Sequence, residues 1–514
     1  MKFTLFQRGR YGRVSGLKSI KHLLLWAEVL GLLLIAGNIF GAAELQTLMS
    51  FGTTTGNTPT GPLIQGKDGS FYGTMSAGKT TLAGAIFKIS SSGQFSPVAS
   101  LTEDIGIAPG EGLALGADGN FYGTTMRGGL GNFGTIFKVT PKGKLTTFAS
   151  FDGTNGWVPI CLVTGVDGNF YGAAWHGGGV VDSNAPFGHG TVFKLTPSGE
   201  LTALFAFAGT NGDMPMALIQ GLDGNLYGMT QYGGSAYDPN GLPGYGTVFQ
   251  LTTNGTLTTL CEFDGTNSSS PQALVQGNDG NLYGTTYWGG TNFNGTLFRL
   301  TTNRELTTLH EFSAFDSMDQ NADGANPVGR LFQGKDGCLY GGTRNGGTNF
   351  LSFHPGLGTF YKITTNGALF TLASLGQSPS SLLSGPIPKG LIQDRKGNFL
   401  GTTYSGGTNN MGSVVKLVVA PPILAITRHQ HPSSGDSTIT VSGKTKAKLG
   451  GTITHVFYQL NDGGWTDAGT ADDFAHWTSE VTLTPGPNVF RAYALDSTGD
   501  SSRTNILKLR LAGS

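Results

Sequence analysis

Short runs rich in Thr, Tyr, Phe, Val and Leu alternate with glycine-bearing polar turns along most of this chain. One stretch contains Pro271–Gln276, Asn281–Thr286, Thr296–Leu300 and Glu305–Phe312, four such runs in succession. β-Branched and aromatic runs bounded by Asp-Gly or Asn-Gly turns predict strands. No apolar stripe of 3.6-residue period accompanies them, which excludes a helical solenoid. Alternation within each run is weak, as expected of sheets covered on both faces.

The runs repeat. Asp-Gly-Asn-Phe/Leu-Tyr-Gly-Thr or a close variant recurs with its turn glycine at Gly69, Gly119, Gly168, Gly224, Gly280, Gly337 and Gly397, giving gaps of 50, 49, 56, 56, 57 and 60 residues. A Gly-Thr-x-Phe-Lys-Leu motif follows each copy, from Ala85–Ile89 to Ser413–Leu417. A third motif, Gly-x-Leu-Thr-Thr-Leu-x-x-Phe, includes Leu145–Phe151, Leu201–Phe207, Leu257–Phe263 and Leu306–Phe312. Four strands per repeat describe a β-propeller blade. The seventh repeat stops after Leu417 without its fourth strand, yet Glu44-Leu-Gln-Thr-Leu-Met-Ser-Phe51 matches Glu305–Phe312. An all-β, seven-bladed β-propeller closed by an N-terminal strand is therefore expected over residues 44–419. The Asp and Gly of each repeat read as turn residues, and the glycine after Tyr as a site of close approach between neighbouring blades.

The series Asp-Gly-Asn-Leu-Tyr-Gly-Thr-Thr-x-x-Gly-Gly…Gly-Thr-x-Phe-Lys-Leu resembles the GloVer (Gloeo/Verruco) tandem repeat of exported bacterial proteins. The resemblance implies an exported repeat protein and brings no catalytic residues with it. The ending Lys508-Leu-Arg-Leu-Ala-Gly-Ser514 lacks the apolar sorting helix of many relatives.

Composition changes this picture in two places. Glycine supplies 84 of 514 residues and charged residues 12%. Collagen would need glycine at every third position, and disorder would need few aromatics, whereas 32 Phe, 15 Tyr and 6 Trp are present. The glycine therefore belongs to ordered turns. At the N-terminus, Lys2, Arg8, Arg10, Arg13, Lys18 and Lys21 precede an apolar run from Val29 to Ala36 and the small residues Gly41–Ala43. That order reads as a signal peptide, residues 1–43, for a secreted, periplasmic or cell-surface protein. An uncleaved anchor is the alternative, opposed by Glu28 and Asn38. Removing the leader takes six basic residues and one acidic residue from 32 of each, leaving 26 against 31, a net charge of −5. A nucleic-acid partner is disfavoured on that count. Cys161, Cys261 and Cys338 lie in separate repeats and read as single buried thiols.

Ala420-Pro421-Pro422 interrupts the repeats. Strands are expected after it at Thr438–Ser442, Thr452–Leu460, Glu480–Leu483, Asn488–Leu495 and Asn505–Leu511, an immunoglobulin-like β-sandwich over residues 423–514. Tyr458–Trp465 and Arg491–Asp496 resemble segments of bacterial Ig-like modules. Trp465 and Trp477 are both expected in its core.

Candidate chemistry concentrates where the repeats differ. The pair before each Gly-Gly changes from Met126/Arg127 through Trp175/His176, Gln231/Tyr232, Tyr287/Trp288 and Arg344/Asn345 to Tyr404/Ser405. Long loops, Gly177–Gly190, Gly233–Gly246 and Gly346–Gly358, follow three of these pairs. Both features are expected on one face, opposite the uniform Asp-Gly-Asn turns. Arg127, Trp175, His176, Gln231, Tyr232, Tyr287, Trp288, Arg344, Asn345 and Tyr404 are thus the candidate ligand residues. Aromatics interleaved with amides suit recognition of a glycan or a peptide by a non-catalytic monomer. The alternative is a polysaccharide lyase or glycoside hydrolase using His176, Arg344 and a loop carboxylate such as Asp182 or Asp238 at the axis. No cofactor is expected, and His176, His189 and His354 have no metal-ligand spacing. The Walker-like Gly73-Thr-Met-Ser-Ala-Gly-Lys-Thr80 is the repeat's own segment followed by a strand, where a phosphate loop would need a helix.

Overall fold

A computed structural model describes residues 44–511 apart from 79–81, 266–267, 317–320, 348–356, 377–386, 396, 419–421, 430–436, 447–452, 471–474 and 497–500. The leader, Lys79 and Thr80 of the Walker-like segment, and His354 lie outside the described residues. The chain is all-β, with one short 3₁₀ turn at Leu130–Asn132 among the described residues. It divides into two compact units, one holding the repeats and one holding the strands that follow Pro422.

In the larger unit the four strands expected of one repeat form one antiparallel sheet: Ser268–Gln276, Leu282–Gly289, Thr296–Leu300 and Leu306–Glu311, in that order. Trp157–Thr164 and Asp213–Gln220 each begin an equivalent four-stranded sheet. The first two repeats have their leading strand split in two, as Asn57–Pro59 with Ile64–Gln65 and as Ile107–Pro109 with Ala114–Leu115. The last two repeats are joined through one parallel pair, Arg330 with Gly390, into a sheet of eight strands. The outermost strand of its final repeat is Glu44–Ser50, which pairs antiparallel with Ser413–Val418 from Glu44↔Val418 to Ser50↔Ser413.

The apolar cores lie between successive sheets. Phe151 meets Phe193 of the next repeat at 4.9 Å, and Phe207 meets Phe249 at 5.3 Å. Phe263–Phe298 and Phe312–Tyr361 continue the series. The rings meet edge to face, the arrangement their quadrupoles favour. Glycine after Tyr makes room within its own repeat rather than between neighbours, which corrects the sequence expectation. A Cβ at Gly123 would stand 2.5 Å from Phe137, and one at Gly228 would stand 2.3 Å from Phe249, each on the paired strand of the same sheet.

Contact between repeats uses another glycine. A Cβ at Gly134, Gly190, Gly246 or Gly295 would press within 2.5–2.8 Å of the proline ring opening the next repeat. The residue before each of those prolines is left-handed: Val158 (φ 57°), Met214 (53°), Ser270 (54°) and Asn326 (55°). Both the β-branched Val158 and any residue preceding proline normally avoid this region. Each instead donates its backbone N–H to the preceding repeat, as from Val158 to Phe133 O at 3.2 Å and from Met214 to His189 O at 3.0 Å. The strain is held by that bond and by the Gly–Pro contact beside it.

The turn opposite these junctions explains the Asp of the repeat. Asp118 accepts the backbone N–H of Asn120 at 3.1 Å, the Tyr122 hydroxyl at 2.9 Å and the Lys138 ammonium at 2.8 Å. Asp68 and Asp336 bind the corresponding Tyr and Lys of their own repeats. Burial raises the pKa of each carboxyl, but these donors outweigh it and hold all three below the usual carboxylate range. A folded-state pKa below the unfolded value contributes stability above the unfolded pKa and loses it as pH falls through the folded one. Thermal melts should therefore be flat near neutrality and drop below about pH 4. Asp118→Asn should lower Tm at pH 7 and leave it equal to wild type near the acid end. A Tm deficit undiminished in acid would show that the ionised form of Asp118 contributes nothing.

The smaller unit pairs Ile423–His429, Thr438–Lys446, Gly469–Thr470 and His476–Thr482 in one sheet, and Ile453–Leu460, Thr466–Asp467, Gly486–Asp496 and Asn505–Leu511 in another. Trp477 is buried and stacks on Phe490 of the facing sheet at 6.3 Å. Trp465 departs from expectation. It is 44% exposed, with its ring against the edge of Tyr493 at 4.8 Å, because its turn lies at the rim of the sheet.

Candidate functional site

The pairs preceding Gly-Gly lie at or just beyond the end of the second strand, and in most repeats a left-handed residue stands near the start of the first. These strand ends adjoin, since Trp157 pairs with His176 and Ser269 with Trp288. Side chains alternate along such strands, so one member of a pair faces inward more readily than its neighbour.

A cavity of about 770 Å³ lies among these ends. Trp175, Gln231, Tyr232, Tyr287, Trp288, Arg344 and Tyr404 line it, which brings seven of the ten candidate residues together. Arg127, His176 and Asn345 stand elsewhere. Arg127 is exposed, whereas its partner Met126 packs into an apolar core. Asn345 donates to the Asn326 side-chain oxygen at 2.8 Å, and Asn326 in turn donates to Tyr287 O at 3.0 Å, so this pair braces the wall from behind. His176 belongs to a cluster with Trp157 at 5.8 Å and Phe187 at 6.0 Å, and burial pushes its pKa down. The hydrolase arrangement, which needs His176 and Arg344 on one ligand, is not assembled in this cavity.

The wall has ordered geometry. Tyr287 and Trp288 meet edge to face at 4.8 Å, and Trp288 keeps 49% of its surface exposed. Lys389 holds its ammonium 5.4 Å from the centre of the Tyr404 ring, a cation–π distance. Gln272 donates to Ser270 O at 3.2 Å. The loop residues Leu242–Tyr245 form another side of the cavity.

That loop is tied to its neighbour. Asp182, in the Gly177–Gly190 loop, accepts the Tyr237 hydroxyl at 2.5 Å, and Asn184 donates to Asp238 O at 2.6 Å. Ser183 also donates to Pro239 O. Behind both loops His189 is fully buried, with Nε2 3.1 Å from Asp182 and Nδ1 3.1 Å from Asp213. Asp182 and His189 are thereby structural, and Asp238 caps its own turn by accepting the Asn240 N–H at 3.0 Å.

Several lining residues were not expected from the sequence. Ser270, Gln272, Val328 and Lys389 come from the Pro-led first strands, and Glu111 comes from the segment after Pro109. A narrower cavity of about 150 Å³ shares Glu111, Met216, Gln272 and Gly329 with the larger one. It continues among first-strand residues such as Cys161, Leu218, Leu274 and Arg330. The first strands thus line a passage that opens into the cavity. Cys161 is a buried free thiol with its pKa pushed up to about 11 by burial.

An all-β array of four-stranded repeats around such a cavity defines a repeat-built, propeller-like class of protein. The chain belongs to the Gloeobacter/Verrucomicrobia repeat family, whose model matches residues 37–238 and 179–415. No match was found among curated proteins. Among solved structures, it is similar to the extracellular domain of a proposed hybrid two component system of B. thetaiotaomicron, at 11% identity and TM-score 0.46, covering 92% of this chain and 58% of that one. The extracellular domain of a proposed one component system from the same organism gives 13%, 0.46, 92% and 60%. The chain therefore spans about three-fifths of the length of these two domains. A fungal alcohol oxidase of the AA5 family in complex with copper gives 11% identity and TM-score 0.43, with 92% and 100% covered. Among the described residues no group of His, Cys, Asp and Glu is arranged to hold a metal ion, and no helix is long and apolar enough to cross a membrane.

Proposed function

We propose that residues 44–419 form a seven-bladed β-propeller of an exported protein, that residues 423–514 form an Ig-like module, and that the cavity binds a glycan without catalysis. Closure is supported by the contact of Phe51 with Phe87 at 5.2 Å, edge to face, which repeats the geometry of Phe151 on Phe193. Export is supported by the basic, apolar and small-residue order of the leader.

The observation that carries the binding reading is the composition of the wall. Six aromatics, Trp175, Tyr232, Tyr245, Tyr287, Trp288 and Tyr404, surround amides and hydroxyls from Gln231, Gln272 and Ser270 in one cavity. Its volume falls within the range of small-ligand sites, roughly 300–1,000 Å³. Aromatic faces pack against the apolar C–H faces of sugar rings, and the polar groups meet the hydroxyls.

Affinity electrophoresis in gels containing soluble polysaccharides, neutral in one set and uronate-bearing in another, tests this reading. Wild type should be retarded by at least one of them. Trp288→Ala and Tyr232→Ala should each weaken retardation about tenfold, the loss of one buried aromatic contact. Migration unaffected by every polysaccharide would overturn the glycan reading.

A further inference from the structure

We infer that the ligand of this cavity is an acidic oligosaccharide, one whose sugar rings bear carboxylates; the inference rests on the glycan reading above. Three charged side chains line the cavity: Arg344, Lys389 and Glu111. Arg344 is exposed and Lys389 and Glu111 are half-buried, and among the described residues none of the three forms an ion pair, whereas several other charged side chains of this unit do. Lys138 and Lys362 each reach the Asp of their own repeat, and His310 reaches Asp323. Two cations lining one cavity without carboxylate partners retain their full hydrogen-bonding capacity toward a ligand.

The three charges are also segregated. Glu111 is shared with the narrow passage and so lies at the deep end, whereas Arg344 and Lys389 line only the wide part. Arg344 lies in the last half of the second strand of the sixth repeat, and Lys389 sits in the first strand of the seventh, so the two cations come from neighbouring repeats. Lys389 faces Tyr404, and Arg344 adjoins the Asn345–Asn326–Tyr287 brace. A chain lying on the aromatic wall would therefore present its carboxylates to two cations at the wide end and keep them from Glu111. Guanidinium offers a planar fork that fits a carboxylate with two hydrogen bonds, and ammonium adds a point charge. Neutral glycans would leave both cations solvated and gain nothing from them.

Isothermal titration of the full chain with oligogalacturonate, and with the same oligosaccharide after reduction of its carboxyls to alcohols, separates the two readings. The acidic form should bind at least about tenfold tighter, the worth of one charge-assisted hydrogen bond, and should weaken with added salt. Arg344→Gln and Lys389→Gln should each remove about tenfold of affinity for the acidic form and leave binding of the reduced form unchanged. Arg127→Gln, away from the cavity, should change neither. Equal affinity for the two forms would overturn the acidic inference while the glycan reading stood. Binding of neither form, together with free migration through every gel above, would overturn both. Retardation by neutral polysaccharides alone would overturn the acidic inference only.

Discussion

Phe51→Ala is expected to destabilise the repeat unit by about 3–5 kcal/mol, the usual cost of emptying a buried phenylalanine site. Phe51 is fully buried, directly after the strand that pairs with Ser413–Val418. Its ring meets Phe87 at 5.2 Å and Phe95 at 6.0 Å, both in the first repeat, while the strand before it completes the sheet of the last. The same junction holds a hydrogen bond from Thr58 N to Met411 O at 2.7 Å and one from the Thr402 hydroxyl to Gly61 O at 2.8 Å. A Cβ on Gly412 would stand 2.5 Å from Pro59, as Gly134 stands against Pro159. First and last repeats are thus joined by the contacts that join the second to the third repeat and the third to the fourth. The midpoint of urea unfolding measures the effect, with Phe151→Ala as the internal reference. Equal losses are expected. A loss under about 1 kcal/mol for Phe51→Ala, beside a full loss for Phe151→Ala, would show that the terminal strand frays and that the array is stable without it. Deleting residues 44–51 should go further, exposing the edge of Ser413–Val418 and promoting aggregation.

That closing strand was legible because Glu44–Phe51 repeats the pattern of Glu305–Phe312, with phenylalanine in the same place. Repetition also revealed sheet strands such as Thr296–Leu300, and turn-bounded β-rich patterning alone revealed Asn505–Leu511; both coincide with the observed elements. Repetition hid other features. Gly134 and Gly190 looked like ordinary turn glycines, and their contact with Pro159 and Pro215 depends on which repeats become neighbours in space. Left-handed Val158 and Met214 contradict the local preference of any residue before proline, so a local reading assigns them to extended strand. The cavity was half legible for a related reason. Variation before Gly-Gly pointed to Trp175, Gln231 and Tyr287, but strand alternation separates Trp175 from His176 and Arg344 from Asn345. Lys389 and Glu111 stand in segments whose sequence differs little in kind from structural first strands. Their role emerges only when the first strands converge on one passage.

His189→Ala should be the most damaging single change among the loop residues, at about 3 kcal/mol or more, because it orphans a buried carboxylate. Neutral imidazole has one donor and one acceptor nitrogen, yet both nitrogens of His189 face carboxylate oxygens at 3.1 Å. Nε2 is hydrogen-bonded to Asp182, whereas the Nδ1–Asp213 approach is a close contact outside hydrogen-bond geometry. Burial raises the pKa of Asp213, with His189 opposing that rise. Removing His189 takes away the opposition, so Asp213 must either stay protonated or ionise without a partner. A carboxyl whose folded-state pKa is raised contributes stability at low pH and loses it as pH climbs through that value. The deficit of His189→Ala should consequently be smaller at pH 4 than at pH 7, the same direction as the deficit of Asp118→Asn but from a carboxyl that burial raises rather than one its donors lower. His189→Ala/Asp213→Asn should recover part of the loss at pH 7, since no buried charge remains to be stranded. The Gly177–Gly190 loop would lose its anchor to Asp213, and through Asp182 and Tyr237 the Gly233–Gly246 loop beside the cavity would loosen with it. Hydrogen exchange should therefore quicken at both loops, and polysaccharide retardation should fall although His189 touches no ligand. A pH-independent deficit, unrelieved by Asp213→Asn, would mean that His189 acts by filling space, and the ionic account of this junction would fail.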